Sequence, residues 1–295
     1  MSTQDVAPIT PEELGVMQGW VGRNETLSDE ITLAPIRGLS ATLDRDDPEP
    51  QPGSTLPHLW HWLYFLPRHP QRELGPDGHA RRGGFLPPVP LPRRMWAGGD
   101  FVWNENNPLR AGDRASRISS IESVAHKKGS SGDLVFVRVR HDVHNAAGLA
   151  LTERHDIVYR SAARPGDPAP KPAAAEVDAA WQRQVHPDPV LLFRYSALTF
   201  NGHRIHYDRS YATGVEAYPG LVVHGPLIAT LLLDLLRRNA PSAFIKRFEF
   251  KAVRPTFDIH PFSLKGQPGA DGRTVRLWAE DHEGWLTMQA RAELA

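Results

Sequence analysis

Two histidines three residues apart, just ahead of an apolar helix, are the side chains whose type and spacing best suit proton chemistry. They are His203 and His206 in Asn201-Gly-His-Arg-Ile-His-Tyr-Asp-Arg-Ser-Tyr-Ala212, and Pro219-Gly-Leu-Val-Val-His-Gly-Pro226 follows shortly after. A neutral imidazole has a reference pKa near ~6.5, so it can accept and return a proton near neutral pH. A helix that opens on Gly225-Pro226 leaves its first backbone N–H groups without intrahelical partners, and those groups favour negative charge. A base beside an oxyanion site is how a protein prepares to handle a proton and a developing oxyanion together. Asn201 does not titrate, but its amide can orient a water by donating or accepting a hydrogen bond. Pro226 has no N–H, so the oxyanion donors would be Gly225 and residues from Leu227 onward. His224 flanks the helix start, and Asp208 reads as an anchor for the histidine loop.

The elements that must hold these residues can be read from the pattern around them. From Pro226 the chain carries Leu227, Ile228, Leu231, Leu232, Leu235 and Leu236, an apolar helix that ends near Arg237-Arg238-Asn239 before Pro241. Basic residues suit its last turn, and the proline stops it. Such a helix must be wrapped by a curved sheet. Strand patterns at 134–140 and 149–159 flank Asn145-Ala-Ala-Gly148, and patterns at 274–279 and 285–294 flank Glu280-Asp-His-Glu-Gly284. Alternation also runs from Phe248 to Ile259. Two long hairpins at matching places suggest two copies of one α+β unit. Thr10-Pro11-Glu12-Glu13 predicts a capped helix near the N-terminus. Residues 161–187, rich in Pro and Ala, read as a linker between the halves.

Bulk composition narrows the function classes. The 295 residues carry 34 basic and 34 acidic side chains, so no global field draws in nucleic acid or a membrane surface. The absence of cysteine excludes disulfides, thiolate nucleophiles and Cys-bound zinc. The N-terminal residues show neither a basic region nor an apolar core, and a cytoplasmic protein is expected. His58-x-x-His61 and His203-x-x-His206 lack the acidic or Cys partners of a standard metal site, so no metal is expected.

The stretch Phe193-Arg-Tyr-Ser-Ala-Leu-Thr-Phe-Asn-Gly-His-Arg-Ile-His-Tyr-Asp208, with Tyr218-Pro-Gly-Leu-Val-Val-His-Gly-Pro226, resembles the C-terminal hot-dog domain of MaoC-like hydratases. Within that family it is most similar to the branch acting on mesaconyl-C4-CoA (3-methylfumaryl-CoA). The N-terminal half is also similar, through Trp60-His-Trp-Leu-Tyr-Phe65, Gly83-Gly-Phe-Leu-Pro-Pro88 and Arg93-Arg-Met-Trp-Ala-Gly-Gly99. The resemblance implies an α+β double hot-dog: an N-terminal domain at 1–160, a linker at 161–187 and a catalytic domain at 188–295. The family's R-specific enoyl-CoA hydratases carry D-x-N-P-x-H. Laid on this sequence, the His falls on His206, but Asn201 stands where the Asp should be, His203 where the Asn should be, and Arg204 where the Pro should be. One of the two usual acid/base groups is therefore missing, and a carboxylate base is in doubt.

The implied activity is reversible hydration of an enoyl-CoA, mesaconyl-C4-CoA giving citramalyl-CoA, with CoA belonging to the substrate and no further cofactor. His206 is expected to activate water, Asn201 to orient it, and His203 to supply a second proton or support the loop. With Asn201 neutral, His206 loses a carboxylate that would have raised its pKa. A free substrate carboxylate calls for an arginine fork, with Arg204, Arg254 and Arg93 as candidates. Tyr64 and its aromatic neighbours are expected in the core or the tunnel wall. Arg81-Arg82, Arg93-Arg94 and Lys246-Arg247 are candidates for the CoA phosphates. The same residues also fit another acyl-CoA or 3-hydroxyacyl-carrier-protein dehydratase, itaconyl-CoA hydratase included, a hot-dog thioesterase, or a non-catalytic acyl-CoA binding module. Two chains associating as a homodimer is a further expectation.

Overall fold

A computed structural model describes residues 8–81, 83–129, 132–161 and 172–295. Helix α1 (Pro11–Gln18) starts with the expected capping box, Thr10 accepting from the Glu13 N–H and Glu13 accepting from the Thr10 N–H. The N-terminal half continues with β1 (Asn24–Glu30), α2 (Leu33–Thr42), β2 (Arg93–Trp103), β3 (Arg114–Gly129), β4 (Gly132–Asn145) and β5 (Gly148–Arg160). The C-terminal half has β6 (Trp181–Val185), α3 (Pro189–Leu198), α4 (Arg209–Gly214), α5 (Gly225–Asn239), β7 (Ile245–Ala252), β8 (Phe262–Pro268), β9 (Thr274–Glu280) and β10 (Leu286–Leu294).

All ten strands form one antiparallel sheet in the order β1-β3-β4-β5-β2-β7-β10-β9-β8-β6. Taken from either edge, the two halves have the same order. β1 matches β6, β3 matches β8, and the hairpin β4–β5 matches β9–β10. The two hairpins foreseen in the sequence thus occupy equivalent places, each with a positive-φ glycine where its second strand begins or just before, Gly148 and Gly284. The halves join where β2 pairs with β7, Phe101 opposite Phe248 and Gly99 opposite Phe250. Gly98 is required there because a Cβ would lie 2.5 Å from the Phe250 carbonyl oxygen. Phe101, Phe248 and Phe250 pack across this seam into one core.

The fold is an α+β arrangement in which α5 fills the concave face. Leu227, Leu232 and Leu236 of α5 are fully buried, and the helix lies against β6, β8, β9 and β10. The halves differ where it matters for a site. At the place of α5, the N-terminal half has an irregular segment with a 3₁₀ turn at Trp60–Leu63. The last part of α5 is tied to the N-terminal half by buried Asp234, which accepts from Arg45, Arg183 and Arg238.

Several expectations shift. Strand pairing in β7 stops at Ala252 rather than Ile259, since Pro255 has no N–H to donate. Residues 181–185 of the expected linker form edge strand β6 on β8, while 162–171 lie outside the described residues. Arg93-Arg94, a candidate pair for the CoA phosphates, begins β2. Among the described residues no helix is long and apolar enough to cross a membrane.

Candidate active site

Helix α3 starts on Asp188, whose carboxylate accepts from the Leu191 N–H at 2.8 Å, with Pro189 at its first position. It ends at Leu198, and Phe200, in left-handed backbone at φ 49°, turns the chain sharply. Asn201 follows, its N–H held by the Ser196 carbonyl at 2.8 Å and its side-chain oxygen accepting from the His203 N–H at 3.0 Å. Because that oxygen is engaged, the Asn201 amide faces a ligand chiefly as a donor. A 3₁₀ turn, Arg204–His206, brings His206 into the interior. Asp208 then caps α4 by accepting from the Tyr211 N–H at 3.0 Å, which confirms its reading as an anchor.

Residues 221–223 pair with 256–258, through Val223 N–H to Thr256 and a bridge from Val222 to Phe257. The Val222 carbonyl is thereby aimed at His206, whose Nδ1 lies 2.7 Å from it. A carbonyl only accepts, so Nδ1 carries the hydrogen and Nε2 keeps its lone pair. Burial pushes the His206 pKa down to about 4, against the raising effect of that hydrogen bond. His206 is thus a neutral base at pH 7. The sequence argument credited the missing carboxylate; the larger cause is desolvation.

His224 stacks on His206 with ring centroids 3.8 Å apart, and its Nε2 meets the Ser196 hydroxyl at 2.8 Å. It is fully buried and well below its ordinary pKa through burial, so it forms the rigid back wall of the site. His224 is also the N-cap of α5 but makes no side-chain cap bond. The next residue, Gly225, faces open space: a Cβ there would meet nothing within 4 Å. The first N–H groups of α5 lack intrahelical partners, and the Cα of Gly225 beside them faces open space.

His203 stands edge-on to His206 at 5.4 Å. Burial, then the charge of His79, push its pKa far down. Its other face meets the His79 ring at 4.0 Å, and Asp77 sits on His79 Nδ1 at 3.2 Å. Sequence reading passed over Asp77 and His79; the Asp-Gly-His spacing in the Gly- and Pro-rich loop was their only signal. Asp77, His79 and His203 offer ligand atoms within 4.8 Å of one another, as do His141, Glu153 and His155. Of the two histidine pairs weighed for a metal, His58 and His61 turn to different partners, His58 packing on Trp103 and Phe244 while His61 bonds Glu153 at 2.9 Å; in the other pair His203 groups with Asp77 and His79.

The arginine candidates fare differently. Arg204 is consumed by Asp208 at 2.7 Å and the Pro76 carbonyl at 3.1 Å, and lies over the Tyr211 ring. Arg254 pairs with Asp281 at 3.2 Å in the second hairpin turn. Arg93 pairs across the sheet with Arg160 and, by strand alternation, lies on the face opposite Trp96. Arg94 shares the Trp96 face and has no acidic partner among the described residues; its charge lowers the pKa of both His203 and His155. Tyr64 takes the first of its two expected places, in the core, where its hydroxyl donates to the Thr32 carbonyl. Arg82 lies outside the described residues. A cavity of about 320 Å³ lies toward the other end of α5, among His58, Trp60, Trp103 and Arg237, and no residue of the histidine loop lines it.

Residues 59–258 match the family model of hydroxyacyl-thioester dehydratase type 2. The mesaconyl-C(4)-CoA hydratase of Chloroflexus aurantiacus is 47% identical over 278 residues, 93% of this chain and 96% of that protein. The mitochondrial hydroxyacyl-thioester dehydratase type 2 of Schizosaccharomyces pombe is 28% identical, over 86% of this chain and 92% of that one. In fold, a solved MaoC-like dehydratase superposes with a TM-score of 0.67 at 14% identity, covering 94% of this chain and 99% of its own. A Mycobacterium tuberculosis protein with a double hotdog fold gives a TM-score of 0.57 at 13% identity, covering 93% and 96%.

Proposed function

This chain belongs to the hydroxyacyl-thioester dehydratase type 2 family, and from that premise we propose that it hydrates a CoA enoyl thioester, mesaconyl-C4-CoA giving citramalyl-CoA. The observation that carries the proposal is the pairing of His206, with Nε2 left basic by the Val222 bond, and the open N-terminus of α5 at Gly225. Water held between His206 Nε2 and the Asn201 amide loses a proton to His206 as its oxygen bonds the β-carbon. The π electrons move toward the thioester oxygen, where the Gly225 N–H and the helix dipole stabilise the enolate. One such donor contributes roughly 3–4 kcal/mol to the transition state. CoA enters as part of the substrate.

The N-terminal half, residues 1–160, shapes the acyl pocket, and the C-terminal half, 188–295, carries the proton chemistry. Support for a dicarboxylic substrate comes from the inner face of the N-terminal half, which is unusually polar. Burial has the largest single effect on Glu153 and would raise its pKa, but the hydrogen bond from His61 and the charges of His61, His141 and His155 together bring it down to about 2, so it stays ionised, and Arg117 lies nearby. An aliphatic acyl tail would desolvate these groups without compensation. Arg94, at the border of that face and the histidines, receives the free carboxylate.

The test follows loss of enoyl-thioester absorbance with mesaconyl-C4-CoA, itaconyl-CoA and crotonyl-CoA, alongside a thiol reagent that detects released CoA. Hydration of the dicarboxylic ester without CoA release is expected, and His206→Ala should lower kcat by about 10²–10⁴-fold. Free thiol would assign a thioesterase instead. Arg94→Gln should raise KM for mesaconyl-C4-CoA by about tenfold or more while leaving crotonyl-CoA unchanged.

A further inference from the structure

The histidine loop is docked on a hairpin of the other half. Leu74 bridges Ala80, the Gly75 N–H bonds the His79 carbonyl at 2.7 Å, and the turn closes through Gly78 to Gly75. Gly78 has φ +89° and lies so close to the loop that a Cβ would sit 1.8 Å from the Gly202 oxygen. The Arg204 N–H donates to the Asp77 carbonyl at 2.9 Å, and its guanidinium to Pro76 at 3.1 Å. Backbone contact of this closeness is a built interface between the halves. It delivers a carboxylate–imidazole pair: Asp77 accepts from the His79 N–H at 3.1 Å and meets its ring Nδ1 at 3.2 Å. The side chains of His79 and Asp77 are 33% and 40% exposed, so they sit at the mouth of the site, while His206 is buried.

We propose that His79, oriented by Asp77, is the second proton-transfer group of the reaction, supplied by the N-terminal half in place of the carboxylate that Asn201 lacks. The inference rests on the hydratase reading above. In the hydration direction, His206 Nε2 takes one proton from water as the C–O bond forms at the β-carbon. The electron pair of the double bond passes into the enolate at the Gly225 N–H. As the thioester carbonyl reforms, the His79 imidazolium gives its Nε2 proton to the α-carbon. His206 is then protonated and His79 neutral. Net return of one proton from His206 to His79 through water at the mouth of the site restores both. One water is added and nothing else is consumed. Asp77 suits the task because, although burial alone would raise its carboxyl, the two hydrogen bonds from His79 and the charges of His79 and His203 together hold it at about 2, so it remains an anion beside the His79 ring.

The experiment measures kcat, KM and pH profile of His79→Asn, His79→Gln and Asp77→Asn on the enoyl-CoA that the wild type turns over. Washout of the product α-proton into D2O is followed in the same samples. His79→Asn should lose about 100-fold in kcat with KM changed by less than about threefold, and α-proton washout should slow in step. Asp77→Asn should lose about tenfold and shift the alkaline limb of the profile, which a merely structural contact would not do. The glutamine variant guards against misfolding, with thermal unfolding as the check on both. If both His79 variants fold and keep kcat within about threefold, the proposal fails while hydration stands. A wild type that hydrates no thioester ends both readings. A metal bound one per chain and lost in Asp77→Asn would assign the three side chains to a cation instead.

Discussion

At the residue scale, the site is defined by which atoms are already occupied. His206 has given Nδ1–H to Val222, Asn201 has given its oxygen to the loop, and Arg204 has given its guanidinium to Asp208. What remains is one basic nitrogen, one amide donor and the pair at Asp77 and His79. Since burial holds His206 at about 4, the acid limb of kcat/KM should lie near that value rather than near ~6.5, activity rising as the base deprotonates. Asn201→Asp should raise the His206 pKa and move this limb up by about one unit or more, while removing an amide donor from the water. A limb unmoved in that variant would place residue 201 away from the shared water. The residues could be picked from the sequence because imidazole and amide chemistry is local. Which atoms stay free was invisible there, since Val222, Pro76 and Asp77 reach the loop only through folding.

At the element scale, α5 works at both ends. Its apolar length was legible from leucine spacing, and so was its end near Asn239. Gly225→Ala places a methyl group in open space, so folding stability should hold or rise by a few tenths of a kcal/mol, up to ~1 kcal/mol. The same methyl stands where a thioester would lie, so KM should rise. Loss of stability in urea melts, with KM unchanged, would contradict that placement. At the other end, buried Asp234 pairs with three arginines, one of them from the N-terminal half. Asp234→Ala should cost about 3–5 kcal/mol of stability, because three cations are left partly desolvated without their anion. The Asp-to-arginine links could not be foreseen, since Arg45 and Asp234 are far apart in the chain.

At the scale of the whole molecule, one sheet with a near-symmetric order carries an asymmetric centre. One half brings the long helix and His206; the other brings a polar inner face and the docked hairpin. Burial holds His58 and His141 at about 4 and His155 at about 3, as it does His206. Each of these folded-state values lies below the unfolded value of ~6.5. Their contribution to stability is therefore complete above that pH and lost as pH falls from ~6.5 toward ~4. The melting temperature should drop by roughly 5–10 °C between pH 7 and pH 5, before most carboxylates titrate. A flat melting temperature over that range would mean these rings are not held neutral.

The chain by itself determined the α+β class, the two hairpins, the long apolar helix, and the loop that sets Asn201, His203 and His206 close together. These follow from periodicity, turn residues and short-range spacing, all written within a few tens of residues. Folding decided the rest: the neutral tautomer of His206, the pairing of Arg204 with Asp208 and of Arg254 with Asp281, and the arrival of Asp77 and His79 beside His203. The last of these depends on contacts across more than a hundred residues of chain, between Gly78 and Gly202 above all, and the others on which polar partner lies within reach once the chain is packed. Hydrophobic pattern sets which face is buried, but only close packing sets which polar atoms meet.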